Sequence, residues 1–388
     1  MPGAPEGVNV TGGERGKTER IEDIPMAVKG TSPPTNMLDD FTASYYDDSD
    51  YNHDDVDRKR ALLSSMHVVS MVIYSIAFVL GVTGNGLVIF ITGFRMKRTV
   101  NTIWFLNLAV ADFIFTFFLP FSVAYTALGF HWPFGRALCK INTALAFLNL
   151  YASVYLLMVI SIDRCISVVR PVWAQNHRTP KLAFLVALGV WVVALALCSP
   201  NLYFRHTAPS PNNENITNCY NNFDTAWEGA TMEQRKNRFN TNHRAMTISR
   251  FILGFVIPFT VIVCCYGAIL AKLKRNQLAR SGKPFMVIAA VIVAFFLCWL
   301  PYHIFSFLEM NRTPSLDTAL IVGLPLTASL AFINSCLNPI LYVFMGQDFK
   351  EKVRRSLFSA FERAFSEEAV STTANTKSKS TDTDSQVF

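Results

Sequence analysis

Seven stretches of the chain run about twenty residues or more almost without charge, and short polar segments separate them. The first lies at about 66–94, with no charge between Arg60 and Arg95. The second lies at about 101–130 and carries one charge, Asp112. The third falls between Lys140 and Asp163, and the fourth between Lys181 and Arg205. The fifth runs from about 245 to Lys272 with Arg250 near its start, the sixth lies between Lys283 and Glu309, and the seventh between Asp317 and Asp348. A bilayer core about 30 Å thick needs about 20 apolar helical residues. In hydrocarbon an open chain satisfies its backbone polar groups only as helix. The pattern predicts an all-α membrane protein, a seven-transmembrane helix bundle over residues 61–346.

The flanks differ in pattern. Residues 1–60 are polar and acidic, and are expected to be a disordered extracellular N-terminus. Residues 347–365 include Phe349–Phe365, where basic and apolar residues alternate at helical spacing. They predict a short amphipathic eighth helix on the inner leaflet. Residues 366–388 form a disordered tail rich in Ser and Thr.

Lys and Arg set the orientation. Arg95, Lys97 and Arg98 follow span one; Arg164, Arg170, Arg178 and Lys181 join spans three and four; further clusters lie between spans five and six and after span seven. All fall on one side, which is therefore expected to be cytoplasmic. The N-terminus is then outside, as are the glycosylation sequons at Asn9, Asn215 and Asn311. The start of the chain lacks the charged segment and apolar stretch of a signal peptide, so the first span is expected to direct insertion.

Composition narrows the picture. Charged residues are 16% of the chain, against about 25% in soluble domains. The net charge of +7 is spread over short clusters, which argues against a nucleic-acid partner. No Cys-x-x-Cys or Cys/His ligand spacing occurs, so neither a zinc site nor another cofactor is expected.

Three groups of residues carry candidate chemistry. Asp112 is an acid deep inside a span, where a carboxylate is costly and marks function by default. Asn149 and Ser153 on span three, and Asn334 and Asn338 on span seven, are its candidate neighbours. One carboxylate with several neutral oxygens suits a small hard cation such as sodium; a polar cluster that only holds helices together is the alternative, and both remain open. Asp163 and Arg164 close span three, either as an ion pair that locks a resting state or as a snorkelling Arg at a helix end. Phe295, Trp299 and Pro301 on span six, with Pro258 and Pro339 on spans five and seven, read as hinges with a large aromatic at one of them, or as a passive core. The hydroxyls of Tyr266 and Tyr342 are placed to reach Arg164 if span six swings outward.

Gly84-Asn-Gly-Leu-Val88, Leu108-Ala-Val-Ala-Asp112, Asp163-Arg-Cys165, Trp191, Pro258 with Tyr266, Cys298-Trp-Leu-Pro301 and Asn338-Pro-x-x-Tyr342 occur in order on successive spans. Together they resemble the rhodopsin-like (class A) G-protein-coupled receptors over about residues 66–358. Cys165 departs from the Tyr or Trp more common in that family, as in its chemoattractant group. Pro171-Val-Trp-Ala-Gln-Asn-His-Arg178 and Tyr342-Val-Phe-Met-Gly-Gln-Asp-Phe349 look like formyl-peptide receptors and the chemokine-like (chemerin) receptors. His131-Trp-Pro-Phe-Gly135 and Cys219-Tyr-Asn-Asn-Phe223 favour the latter. Phe147 and Met246 stand where formyl-peptide receptors carry an acid and a second Arg. Ala146, not Asp, argues against an amine receptor.

The resemblance implies a plasma-membrane receptor that signals through inhibitory G proteins, receptor kinases and arrestin, and is not an enzyme. It implies a Cys139–Cys219 disulfide pinning the second outer loop across a pocket. Arg250, in the outer half of span five, needs an anion there: a peptide C-terminal carboxylate or an internal partner such as Glu309. Tyr74, Phe147 and Tyr302 are candidate cover for it, and Trp299 the floor. Residues 39–57 hold eight Asp and no Lys or Arg around Tyr45, Tyr46 and Tyr51, a context for tyrosine sulfation that would attract a basic, chemerin-like protein ligand; a merely solvated tail is the alternative. Nine Ser and Thr from Ser371 to Ser385 offer phosphorylation sites for arrestin. A formyl-peptide-like receptor, a lipid-mediator receptor and a non-signalling scavenger are the competing readings. A transporter would need inverted repeats, which the chain lacks.

Overall fold

The computed structural model describes residues 53–210, 213–225, 229–275 and 283–345. The sites at Asn9, Tyr45, Tyr46 and Tyr51, the helix expected at 347–365 and the Ser/Thr tail lie outside the described residues. Of Tyr342 only the backbone is described.

Seven helical segments are long and apolar enough to cross a membrane. Span one is α1 (His53–Phe90), which continues through a wide π-helical turn, Ile91–Arg95. It begins ahead of the boundary at 60 drawn from hydropathy, and Arg60 pairs with Asp57 one turn back at 3.1 Å. Span two is α2 (Val100–Phe117) and α3 (Leu119–Ala127). Thr99 and Thr102 cap α2 reciprocally, satisfying N–H groups that a helix start leaves bare. The break at Phe118 follows from Pro120, which offers no N–H. Span three is the long α4 (Gly135–Val169), followed by the short α5 (Pro171–His177).

Span four is α6 (Pro180–Phe204), with Thr179 as its cap and Pro180 in its first turn. It leads into a hairpin that the hydrophobic pattern did not predict. β1 (Arg205–Ser210) pairs antiparallel with β2 (Asn213–Asn221), with Thr207 opposite Cys219. Span five is α7 (Met232–Phe251), a wide turn at Ile252–Val256, and α8 (Ile257–Arg275). It starts well before the expected 245 because Thr231 and Gln234 form a capping box. Span six is α9 (Lys283–Met310) and span seven is α10 (Asp317–Met345). α10 carries Pro325 as well as the expected Pro339.

The bundle has two central rods. The apolar windows of the third and seventh spans are 61% and 67% buried, against 22–28% for the first, fourth and fifth. α4 packs on α2, α6 and α8, while α10 packs on α1, α2 and α9. Leu108, Leu150, Val154, Phe295 and Trp299 fill the space between them. α1 comes close to α10 at Gly84, where a Cβ would stand 3.1 Å from Pro339. One residue on, Asn85 donates from Nδ2 to the Ser335 carbonyl at 2.9 Å.

Candidate functional site

At the end of the bundle that carries the hairpin, the sequence builds a tied-down rim. Cys139, near the start of α4, is bridged to Cys219 in β2. The turn before α4 needs left-handed backbone at Gly129, Phe130 and Gly135, which suits glycine at two of the three. Trp132 then donates its backbone N–H to Thr217 at 2.7 Å and its indole N–H to Gly135 at 2.8 Å. Thr217 in turn donates to the His131 ring at 3.0 Å. The hairpin is thereby sewn to both the turn before α4 and α4 itself. Partial burial, then the charges of Arg136 and Lys140, lower the pKa of His206 on β1.

Beneath the hairpin lies a cavity of about 190 Å³, lined by Arg205, Arg250, Phe147, Trp299, Tyr302 and Phe332 among others. The guanidinium of Arg250 donates to the Tyr302 hydroxyl at 2.7 Å and sits 3.9 Å from the centre of the Phe147 ring. A cation over an aromatic face is held by the ring quadrupole, so Arg250 is fixed in orientation. Two of the expected covering aromatics are in place. The third, Tyr74, lines the same cavity but packs its ring on Phe332 at 4.9 Å. Glu309 is not among the lining residues; it stands on α9 two turns beyond Tyr302. Among the described residues no carboxylate lines the cavity, and two guanidiniums do. Arg205 was missed as a site residue because it ends an apolar run, where a charge reads as a span boundary.

Trp299 forms the floor of the cavity, 4% exposed, with its indole N–H buried and without an acceptor. One turn deeper, Phe295 lies with its ring centre 6.0 Å from that of Trp299. His303 is enclosed by Phe251, Phe255, Trp299 and Tyr302, a nest that sequence reasoning did not single out.

Below the floor sits the expected polar cluster. Asn149 and Asn338 each donate an amide N–H to Asp112, at 2.8 and 2.7 Å. Asn149 also donates to Ser153 at 3.4 Å and accepts from Ser335 at 3.1 Å. Ser335 is an addition to the expected set. Asn334, named from the sequence, is buried but its Oδ1 has no hydrogen-bond partner.

At the opposite end the structure redraws the expected Asp163–Arg164 pair. Arg164 stands 3.9 Å from Asp163. Arg178, in the turn after α5, grips both Asp163 oxygens, at 2.7 and 2.9 Å. Arg164 instead donates to Asn101 Oδ1, which also accepts from Arg178 at 2.6 Å. A bidentate guanidinium–carboxylate pair is the stronger geometry, so Arg178 is the principal partner of Asp163. The Tyr266 hydroxyl is buried without a hydrogen-bond partner. Pro301 and Pro339 lie inside α9 and α10, Pro301 two residues beyond Trp299.

Comparison with known proteins agrees with this architecture. The family described as "7 transmembrane receptor (rhodopsin family)" matches residues 84–342. Human chemerin-like receptor 1 is 48% identical over 302 residues, covering 77% of this chain and 80% of that one. The zebrafish (Danio rerio) C3a anaphylatoxin chemotactic receptor is 47% identical over 319 residues, 81% and 82% of the two chains. Human N-formyl peptide receptor 3 is 46% identical over 306 residues, 77% and 85%. The chain belongs to the rhodopsin family of seven-transmembrane G-protein-coupled receptors, within its chemoattractant group: a multi-pass plasma-membrane receptor and not an enzyme.

Proposed function

We propose that the chain is a receptor for a chemerin-like protein or peptide, whose C-terminal carboxylate binds Arg250 and whose terminal apolar side chain presses on Trp299. The observation that carries this reading is the cavity itself, apolar-walled, holding Arg205 and Arg250 and no carboxylate among its described lining. Such a site favours an anionic end on an apolar body. The similarity to human chemerin-like receptor 1 supports the choice of ligand class.

In this reading the hairpin end faces outward, and the end with Asp163, Arg164 and the Lys/Arg clusters faces the cytosol. The acidic stretch 39–57, with its Tyr residues as sulfation candidates, attracts a basic ligand before its end inserts. Inserted ligand bears on Trp299 and Phe295, and α9 swings at Pro301. Arg164 and Tyr266, with Asn338, Pro339 and Tyr342 of α10, then rearrange to admit an inhibitory-class G protein; receptor kinases and arrestin engage the Ser/Thr tail. Only a ligand that binds the swung state more tightly shifts the equilibrium.

The Asp112 cluster suits sodium: one carboxylate, the Ser153 hydroxyl and the amide oxygen of Asn334, which is buried without a hydrogen-bond partner. Asp112 would supply the charge, and Asn149, Ser153, Asn334 and Asn338 neutral oxygens. A bound cation would tie spans two, three and seven in the resting arrangement.

The test is nucleotide exchange on an inhibitory G protein in membranes carrying this chain, with a chemerin-like C-terminal peptide. Saturable exchange that Arg250→Ala weakens is expected. Saturable peptide binding with no exchange would identify a scavenger instead, and no binding at all would remove the ligand class.

A further inference from the structure

Two free thiols meet at the Asp163 end of the bundle. On α4, Leu157 and Ser161 are buried, and Cys165 follows Ser161 by one helical turn. On α8, Ile262 and Ile269 are buried, and Cys265 lies between them at three and four residues' spacing. Residues so spaced share one face of a helix. α4 and α8 pack on one another, and where these two faces meet the Cys265 thiol is in contact with that of Cys165. Cys264, one residue earlier and so turned by about 100°, is exposed.

The pair differs from the other free thiols. Cys198, Cys298 and Cys336 are buried, and a buried thiol serves as a small hydrophobe. Cys165 and Cys265 are only partly buried. Cys165 lies four residues before the end of α4 at Val169, roughly 6 Å along the axis, so the site is close to water. In the reading above this end faces the cytosol. Disulfides there are transient, and thiol pairs that form them act in catalysis or redox sensing.

We propose that Cys165 and Cys265 form a modification site, where hydrogen peroxide oxidises the two thiols to a disulfide that ties α4 to α8. One thiolate attacks a peroxide oxygen and the O–O bond breaks, which leaves a sulfenic acid; the hydroxide released takes up the thiol proton as water. The second thiolate attacks the sulfenic sulfur, the S–S bond forms, and the departing hydroxide takes up the second proton. Two thiols lose two electrons and two protons, and the peroxide becomes two waters. The consequence for signalling rests on the proposed function. Each cysteine is next in sequence to a residue that must rearrange there, Arg164 on α4 and Tyr266 on α8. A disulfide holds its Cα atoms about 4.4–6.8 Å apart, so it fixes the two helices at their present spacing and opposes the rearrangement. The cavity under the hairpin is at the other end of the bundle and is left intact.

The test begins with chemistry. Purified receptor is treated with a limiting dose of hydrogen peroxide, free thiols are alkylated, and cross-linked peptides are mapped by mass spectrometry. A Cys165–Cys265 cross-link is expected with Cys264 still alkylated, and Cys264→Ser should leave the cross-link unchanged. Reduced glutathione should reverse it, whereas structural bridges of the Cys139–Cys219 kind resist that reductant. No cross-link at a dose that already oxidises Cys264 would overturn the proposal, as would Cys264 in place of either partner. The second arm reads peptide-driven nucleotide exchange. Oxidised wild-type receptor should lose most of its stimulated exchange and regain it with glutathione, while Cys165→Ser and Cys265→Ser should lose none on oxidation. Two variants, each checked by thermal melting, keep this arm usable if one misfolds. Full stimulated exchange by cross-linked receptor would overturn the tie between helices. Absence of exchange even in the reduced wild type would instead count against G-protein coupling, and the peptide map would still decide the modification site.

Discussion

Arg250 offers a prediction that can be worked through in energy. Its guanidinium is held between the Tyr302 hydroxyl at 2.7 Å and the Phe147 ring at 3.9 Å, so little side-chain freedom is left to lose when a carboxylate arrives. A hydrogen bond to a charged group contributes about 1.5–3 kcal/mol. At 1.4 kcal/mol per factor of ten, that is roughly a tenfold to hundredfold loss of peptide affinity on Arg250→Ala. Replacing the peptide's C-terminal carboxylate by an amide should cost about as much on the wild-type receptor. The decisive measurement is the cycle that combines both changes. If the two groups bind one another, the amide peptide on the Arg250→Ala receptor should be at most about twofold weaker than either single change. Tyr302→Phe should give a smaller loss, about fivefold, because it removes an orienting bond of about 1 kcal/mol and leaves the charge. Competition binding on membranes, with surface expression measured in parallel, reads all of these. Losses that multiply across the cycle would mean that Arg250 and the carboxylate act on different partners, and the carboxylate contact would be abandoned.

Arg178→Ala should raise ligand-independent nucleotide exchange about fivefold, since it removes the bidentate grip on Asp163 while leaving Arg164 at 3.9 Å as a weaker substitute; a partly buried pair at about 1 kcal/mol sets that scale, and an unchanged basal rate would refute the clamp. Asp112→Asn removes the one carboxylate of the polar cluster, so peptide affinity that falls with added sodium chloride, but not with N-methylglucamine chloride, in the wild type should be indifferent to the cation in the variant. Association of a basic protein ligand should slow as salt rises, and converting the eight Asp of residues 39–57 to Asn should remove most of that dependence.

Much of this molecule was legible before any coordinates, and what was legible has one physical character. The lengths of charge-free runs place residues by depth, because the bilayer admits about 20 helical residues and leaves charges at its faces. The structure has these residues in the same order along the bundle, with Arg250 and Trp299 at the cavity under the hairpin, Asp112 below them and Asp163 at the other end. Rotation about each helix axis is a different quantity. A helical residue turns by 100°, so one unexpected irregularity reassigns every face beyond it. Asn334 and Ser335 are neighbours on one helix, α10, and differ only in heading: the sequence named the first, and the structure bonds the second to Asn149. The wide turn Ile252–Val256 lies between Arg250 and Pro258, so counting helical turns back from Pro258 gives the height of Arg250 but not its heading. The heading that matters, onto Phe147 and Tyr302, depends on that turn. Arg178 was hidden for another reason. Among the Lys and Arg that mark one face of the membrane, any single residue looks interchangeable with its neighbours. Its bond to Asp163 comes from the residue that ends α5, in the turn that carries the chain from that seven-residue helix toward α6. Both misses concern directed contacts, which a one-dimensional pattern of polarity does not encode.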